Sequence, residues 1–371
     1  MLQFKEHREI AQLGEKLISE GATFDELKRK IINWIQGADK DKLEVLSDVW
    51  TRMNRNVLEK PIEKVITQKN LPSKDASDIF NVISDVSSSL EDKKQFSEIL
   101  NDKNRLIDPK NITGARGKTC LSEIIPDTLS KNETFQLSKD AIIKMKNTGN
   151  EARGQGETFI TLFVSGTGNA KKGDIKIGNV QTEIKASTKT GAATLRLREG
   201  VNAPNNVKAK EKLISTLKSI NPRAKIQENN TFSFVPSSVK DWNEALEGLS
   251  KNEVKQLFKG ELPGTSFKGF KELYPQISDK ILNVYLDEMI ENDGRINEGI
   301  ARYAVAGMFF DYYKKLEEFD QMMVINVDEH SFIMLKTGED ILRNSNSLKI
   351  RNTSIWVGKE ERHASPEIAL V

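Results

Sequence analysis

Asp174, Glu183 and Lys185 stand close together in the middle of this chain, within GDIKIGNVQTEIKAS. Two carboxylates and an ammonium are the groups that hold a divalent cation and steer water at a phosphate. Gly178-Asn179 between Ile177 and Val180 predicts a two-residue hairpin turn, since both residues tolerate positive φ. Counting outward, Ile177 faces Val180, Lys176 faces Gln181, Ile175 faces Thr182 and Asp174 faces Glu183. Strand alternation then gathers Asp174, Lys176, Glu183 and Lys185 on one face. The other face, Ile175, Ile177, Thr182, Ile184 and Ala186, is mostly apolar and suited to a helix.

Opposed strand residues have Cβ atoms about 4.5–5.5 Å apart. Two carboxylates that close repel each other unless a cation lies between them. Mg²⁺ fits the need, with Mn²⁺ as a second candidate: it binds through one or two carboxylates and accepts substrate phosphate oxygens. Lys185 would bring its ammonium beside the activated water. Glu-x-Lys alone carries little information, for it also occurs at Glu26-Lys28, Glu91-Lys93 and Glu253-Lys255. Those three fall in predicted helices, where residues two apart point in different directions. Glu183-Ile-Lys185 alone falls in a predicted strand and follows Gly-Asp across a tight turn.

On these residues the segment resembles the PD-(D/E)xK nuclease superfamily, whose fold is restriction-endonuclease-like. The signature reads here as Gly173-Asp174, then Glu183-Ile-Lys185 on the neighbouring strand, with Glu157 of RGQGETFITLF as the upstream helical carboxylate. The likeness spans residues 150–235. Gly173 replaces the leading Pro, and no Gln-x-x-x-Tyr follows Lys185, unlike the RecB-like exonuclease branch. The resemblance implies metal-dependent phosphodiester hydrolysis leaving 5′-phosphate and 3′-hydroxyl ends. Asp174 and Glu183 would hold the metal, Lys185 would orient water, and Glu157 would assist as a further ligand. Against this, Glu157 is also simply favourable at a helix N-terminus.

Small, hydroxyl and cationic residues follow the signature: Ser187, Thr188, Lys189, Thr190, Arg196 and Arg198. Such residues approach phosphates closely, although a solvated loop has the same composition. Between Lys171 and Lys225 there are 13 Lys and Arg against 4 Asp and Glu, while the whole chain carries only +2. Aromatic residues that would stack single-stranded bases are missing here, which favours duplex DNA as partner. DNA rather than RNA is what the resemblance implies.

The elements that must position these groups give an α/β core, α+β overall, with a mixed sheet flanked by helices. A helical N-terminal region is expected over 1–110, with Thr23 and Glu26 at capping-box spacing. A nuclease-like core is expected over 111–236, with a helix at 151–165 and strands within 224–235. A C-terminal region, 237–371, is helical at first and then forms a hairpin in MMVINVDEHSFIMLK, with His330 as a turn residue. IARYAVAGMFFDYYKKLEEF reads as a core helix or subunit contact, and a homodimer is a further expectation.

Other chemistries fail on spacing or composition. GARGKT has Ile112 where a phosphate-binding loop needs glycine, and GTGNAK has Lys171 in the third glycine's place. Three histidines and a single cysteine, Cys120, leave no His-rich metal site, Ser-His-Asp triad or internal disulfide. No apolar run approaches the roughly 18–20 residues that cross a bilayer, and MLQFKEHREIAQ lacks the core of a secretory signal. A cytoplasmic or virion-associated protein is expected, without membrane association. The leading expectation is a DNA endonuclease of restriction, phage or mobile-element type. The alternative is a non-catalytic DNA-binding or virion-associated structural protein that keeps the fold.

Overall fold

The structure is a computed structural model that describes residues 60–69, 71, 73–146, 153–188, 193–194, 206–224, 236–272, 277–351 and 366–371. The capping box at Thr23, all but the first residue of the 224–235 segment expected to hold strands, and Lys189, Thr190, Arg196 and Arg198 lie outside these residues. The chain divides into two compact units, Met1–Asp102 with Lys131–Ser138, and Lys103–Ser130 with Lys139–Val371.

The first unit is helical where described. Ser73–Asp85 and Leu90–Asn101 form helices separated by Val86-Ser87-Ser88-Ser89. Serines compete for backbone hydrogen bonds and so favour a break, and Ser89 caps the second helix by accepting from Asp92 N. The Glu91-Lys93 pair lies in that helix, where the buried Lys93 ammonium donates to Ser84 O at 2.8 Å.

The second unit carries a six-stranded sheet in the order β1-β7-β6-β4-β3-β2. Its strands are β1 (Thr119–Cys120), β2 (Thr167–Asn169), β3 (Ile175–Ile177), β4 (Val180–Ser187), β6 (Gln321–Asn326) and β7 (Ser331–Leu335). A smaller sheet runs β5-β9-β8, from β5 (Ala193–Thr194), β8 (Leu348–Arg351) and β9 (Glu367–Leu370). The expected mixed sheet is therefore present: β4 and β6 are parallel, and the other pairs are antiparallel. The hairpin of MMVINVDEHSFIMLK forms at β6–β7, and His330 sits in its turn at φ 50°. This hairpin lies beside β4 in the same sheet as the Asp174–Lys185 segment, although the sequence separates the two regions at residue 236.

Every residue of β6 and β7 is buried, as strands covered on both faces must be. Met322, Val324, Ile333 and Leu335 belong to a cluster with the helices α2 (Asp279–Met289) and α3 (Glu298–Glu317). Helix α3 buries the consecutive residues 304–310, among them Ala304, Val305, Ala306, Met308, Phe309 and Phe310, which reach all sides of its middle and fit its central place. It is crossed closely by the N-terminus of α4 (Gly338–Arg343). A Cβ at Gly338 would overlap the Tyr285 hydroxyl and the Gly307 carbonyl. The approach is held by Asp311, which accepts from Tyr285 OH at 2.6 Å and from Gly338 N at 2.7 Å. Gly338→Ala is therefore expected to lower stability by about 1–3 kcal/mol through overpacking, read as an earlier thermal melt. An unchanged melt would mean the crossing has room to spare. No helix among the described residues is long and apolar enough to cross a membrane.

Candidate active site

The hairpin forms in the register counted from the turn for Ile177 with Val180, Lys176 with Gln181 and Ile175 with Thr182, and the ladder ends there: the expected fourth pair, Asp174 with Glu183, is not part of it. Of the two turn residues only Gly178 takes positive φ, at 61°, the pattern of a turn with glycine first. Gly173, at φ 73°, turns the chain into β3. A Cβ there would lie 3.1 Å from the carbonyl carbon and oxygen of Thr182, so only glycine fits comfortably against β4. Asp174 N donates to Thr182 O at 3.1 Å. Its carboxylate also joins the ladder, with Oδ2 accepting from Ile184 N at 2.7 Å. One carboxylate oxygen thus stands where a backbone carbonyl would otherwise extend the strand.

Glu183 and Lys185 share a face of β4. Lys185 Nζ lies 2.5 Å from Glu183 Oε1, with the lysine side chain 24% exposed and the glutamate 9%. The same oxygen accepts a hydrogen bond from the Tyr313 hydroxyl at 2.9 Å. Glu183 Oε2 has no hydrogen-bond partner among the described residues. Burial acts to lower the Lys185 pKa, but Glu183, Asp174 and Glu157 together hold it above the ordinary lysine value. The side chain is therefore an ammonium and serves as a fixed cation. Burial and then the Glu183 charge push the Tyr313 phenol above its ordinary value, so it stays a donor.

Glu157 opens α1 (Glu157–Phe163), a shorter helix than the 151–165 expected, and every residue of it is buried. Gly156, at φ 84°, precedes it, and a Cβ there would lie 2.9 Å from Ile325 Cγ2. The helix N-terminus is thus packed on the apolar face of β4 and β6. Glu157 Oε1 accepts from Gly154 N at 2.6 Å, which matches the ordinary role of a glutamate at a helix start. Two features go beyond that role: the residue is only 8% exposed, and its carboxyl is pushed up to about 8. Burial is the main cause and the Asp174 charge the next, against Gly154 N–H, Arg153 and Lys185. Lys185 therefore feels the charges of Glu183, Asp174 and Glu157, and Glu157 those of Asp174, Arg153 and Lys185.

Among the described residues, no three His, Cys, Asp or Glu side chains stand in metal-binding geometry. Lys185 instead neutralises Glu183. The donor chemistry nevertheless suits a hard divalent cation. Glu157 and Glu183 each keep an oxygen without a hydrogen-bond partner among the described residues, and Glu157 holds a proton that a cation would displace.

The residues expected to meet phosphate fare differently. Ser187 is 1% exposed; its hydroxyl donates to Ile325 O and accepts from Leu370 N, so it ties the two sheets together rather than facing a ligand. Thr188 is half-buried. Lys171 and Lys172 are exposed just before Gly173, and Lys172 pairs with Glu318 at 3.0 Å. Tyr313, which bonds Glu183, and Arg153, whose charge acts on Glu157, are neighbours of these acids that sequence reasoning missed. Tyr313 sits in an apolar helix whose pattern signals only packing, and its one polar atom is a weak signal.

No family model matches the sequence, and no curated protein or solved structure is significantly similar to it.

Proposed function

We propose that this chain is a Mg²⁺-dependent DNA endonuclease with a restriction-endonuclease-like core. The observation that carries the reading is the hairpin, which sets Glu183 and Lys185 on one face of β4 with Asp174 just before β3, together with the buried Glu157, which feels the Asp174 and Lys185 charges. Burying the Glu157 carboxyl within reach of the Asp174 charge raises its energy, a cost that a bound divalent cation would offset.

Asp174, Glu183 and Glu157 would hold the cation, with Mn²⁺ able to replace Mg²⁺. A bound divalent cation supplies acidified water and charge neutralisation at the phosphate. The chain's own residues do the rest. Lys185, kept as an ammonium, orients the attacking water and stabilises charge developing on the phosphate oxygens. Water gives up a proton to solvent as it adds to phosphorus, the P–O3′ bond breaks, and the departing 3′ oxygen takes a proton from solvent, leaving 5′-phosphate and 3′-hydroxyl ends. The exposed Lys171, and Lys172 once released from its surface pair with Glu318, would meet the backbone of duplex DNA.

The test is incubation of the full chain with supercoiled plasmid in Mg²⁺ or in EDTA, beside Asp174→Ala. Nicking or linearisation by the wild type in Mg²⁺ alone, lost in the variant, is the expected result. Cleavage that persists in EDTA would sink the assignment of the site. No cleavage, together with no metal-dependent rise in melting temperature, would assign the chain to the non-catalytic DNA-binding or virion-associated class.

A further inference from the structure

Tyr313 is 4% exposed on a helix otherwise built for packing. Its ring stacks on Phe309 with centroids 6.5 Å apart and meets Phe319 edge-on at 5.4 Å. Held from two sides, the ring sends its hydroxyl in one direction. A buried tyrosine needs a partner for that hydroxyl, and a backbone carbonyl usually serves. Tyr303 on the same helix does this, donating to Leu348 O at 3.0 Å. Tyr313 does not: it crosses to β4 and takes Glu183 Oε1.

That oxygen already receives the Lys185 ammonium. Two donors on Oε1 leave Oε2 as the oxygen without a partner among the described residues. The terminal torsion of a glutamate is broad and roughly two-fold, so a carboxylate held by a single flexible lysine turns once the lysine moves. A neutral donor on a rigid ring stops the turning. It also adds no positive charge to compete with a cation.

We infer that Tyr313 is a positioning residue of this site: it anchors Glu183 Oε1, so that Oε2 is presented to the cation as one ligand atom. Lys185 can then leave Glu183 for the substrate without the carboxylate rotating. The inference rests on the nuclease reading and adds to it a residue from a distant helix. Outer-shell partners of ligating carboxylates typically change metal affinity or activity by about 10–100-fold when removed.

Tyr313→Phe in the full-length chain deletes one oxygen and keeps both ring contacts. Calorimetric titration with Mn²⁺, without DNA, should show affinity reduced by about 10–100-fold. In plasmid cleavage kcat should fall while KM for DNA stays at the wild-type value. Tyr303→Phe on the same helix deletes a hydroxyl that bonds only the Leu348 carbonyl and touches none of the site's acids. It should lower the melting temperature and leave Mn²⁺ affinity unchanged. A Tyr313→Phe protein that binds Mn²⁺ as tightly as wild type, whatever its melting temperature, overturns the inference. If that variant does not fold, 3-fluorotyrosine at position 313, nearly isosteric and a stronger donor, should change Mn²⁺ affinity; no change overturns the inference too. A wild-type protein that neither binds Mn²⁺ nor cuts DNA overturns the nuclease reading itself. Wild-type activity with an unaffected Tyr313→Phe overturns only the role of Tyr313.

Discussion

Lys185→Ala should lose cleavage by about 10²–10³-fold in kcat, the size seen when one preorganised charge-stabilising donor is deleted, yet bind Mn²⁺ more tightly. The two effects have opposite sign because the ammonium does two things. It supplies positive charge to the reacting phosphate, and in the resting site it occupies Glu183 Oε1 at 2.5 Å. Its removal leaves Glu183, Asp174 and Glu157 without the cation that acts on them. The metal-free variant should therefore melt below the wild type, and Mg²⁺ should raise its melting temperature by more than it raises the wild type's. Glu183→Gln gives the contrast: it removes a ligand charge, so metal affinity and cleavage fall together. Single-turnover cleavage and Mn²⁺ calorimetry on the two variants separate these outcomes. A Lys185→Ala protein with weakened metal binding would show that the lysine supports the architecture of the site instead.

Stability and metal affinity should depend on pH in opposite directions. The Glu157 carboxyl is pushed up to about 8 in the folded chain, from an ordinary value of 4.5. Between those two values the folded state holds a proton that the unfolded state has released. Unfolded chains then bind fewer protons than folded ones, so stability falls as pH rises through this window. The slope is at most about 1.4 kcal/mol per pH unit for one group. Glu157→Gln should remove the slope and melt above the wild type at pH 9. Metal binding requires the ionised carboxylate, so wild-type affinity should climb by up to about tenfold per pH unit below 8 and level off above it, with a proton released on binding. Melting curves in EDTA and calorimetry in two buffers of different ionisation heat measure both. A wild-type melting temperature that is flat from pH 5 to 9 would mean that Glu157 is ionised throughout, and its buried-acid role would fall.

Much of this arrangement is legible in local sequence. The register of β3 and β4 follows from Gly178-Asn179 and an alternation of period two, and both signals lie within a dozen residues. Gly173 before Asp174 is readable in the same way, as the residue that tolerates positive φ against a strand. The breaks of the helices at Val86–Ser89 follow from side chains that bond their own backbone.

Tertiary structure alone decided the rest. The sequence carries no local mark that β4 pairs in parallel with β6, from Thr182 against Gln321 to Ser187 against Asn326. Parallel pairing joins segments far apart in the chain, and apolar runs such as those of β6 fit many neighbours. That pairing buries Ser187, which its composition had suggested for phosphate. It also sets α3 over β4, bringing Tyr313 to Glu183 from 130 residues away. Glu157 was visible as a carboxylate at a helix start, but its raised pKa depends on α1 being covered on every side. Residue type and spacing determine which groups can react; burial and long-range neighbours determine their protonation and which atom each presents.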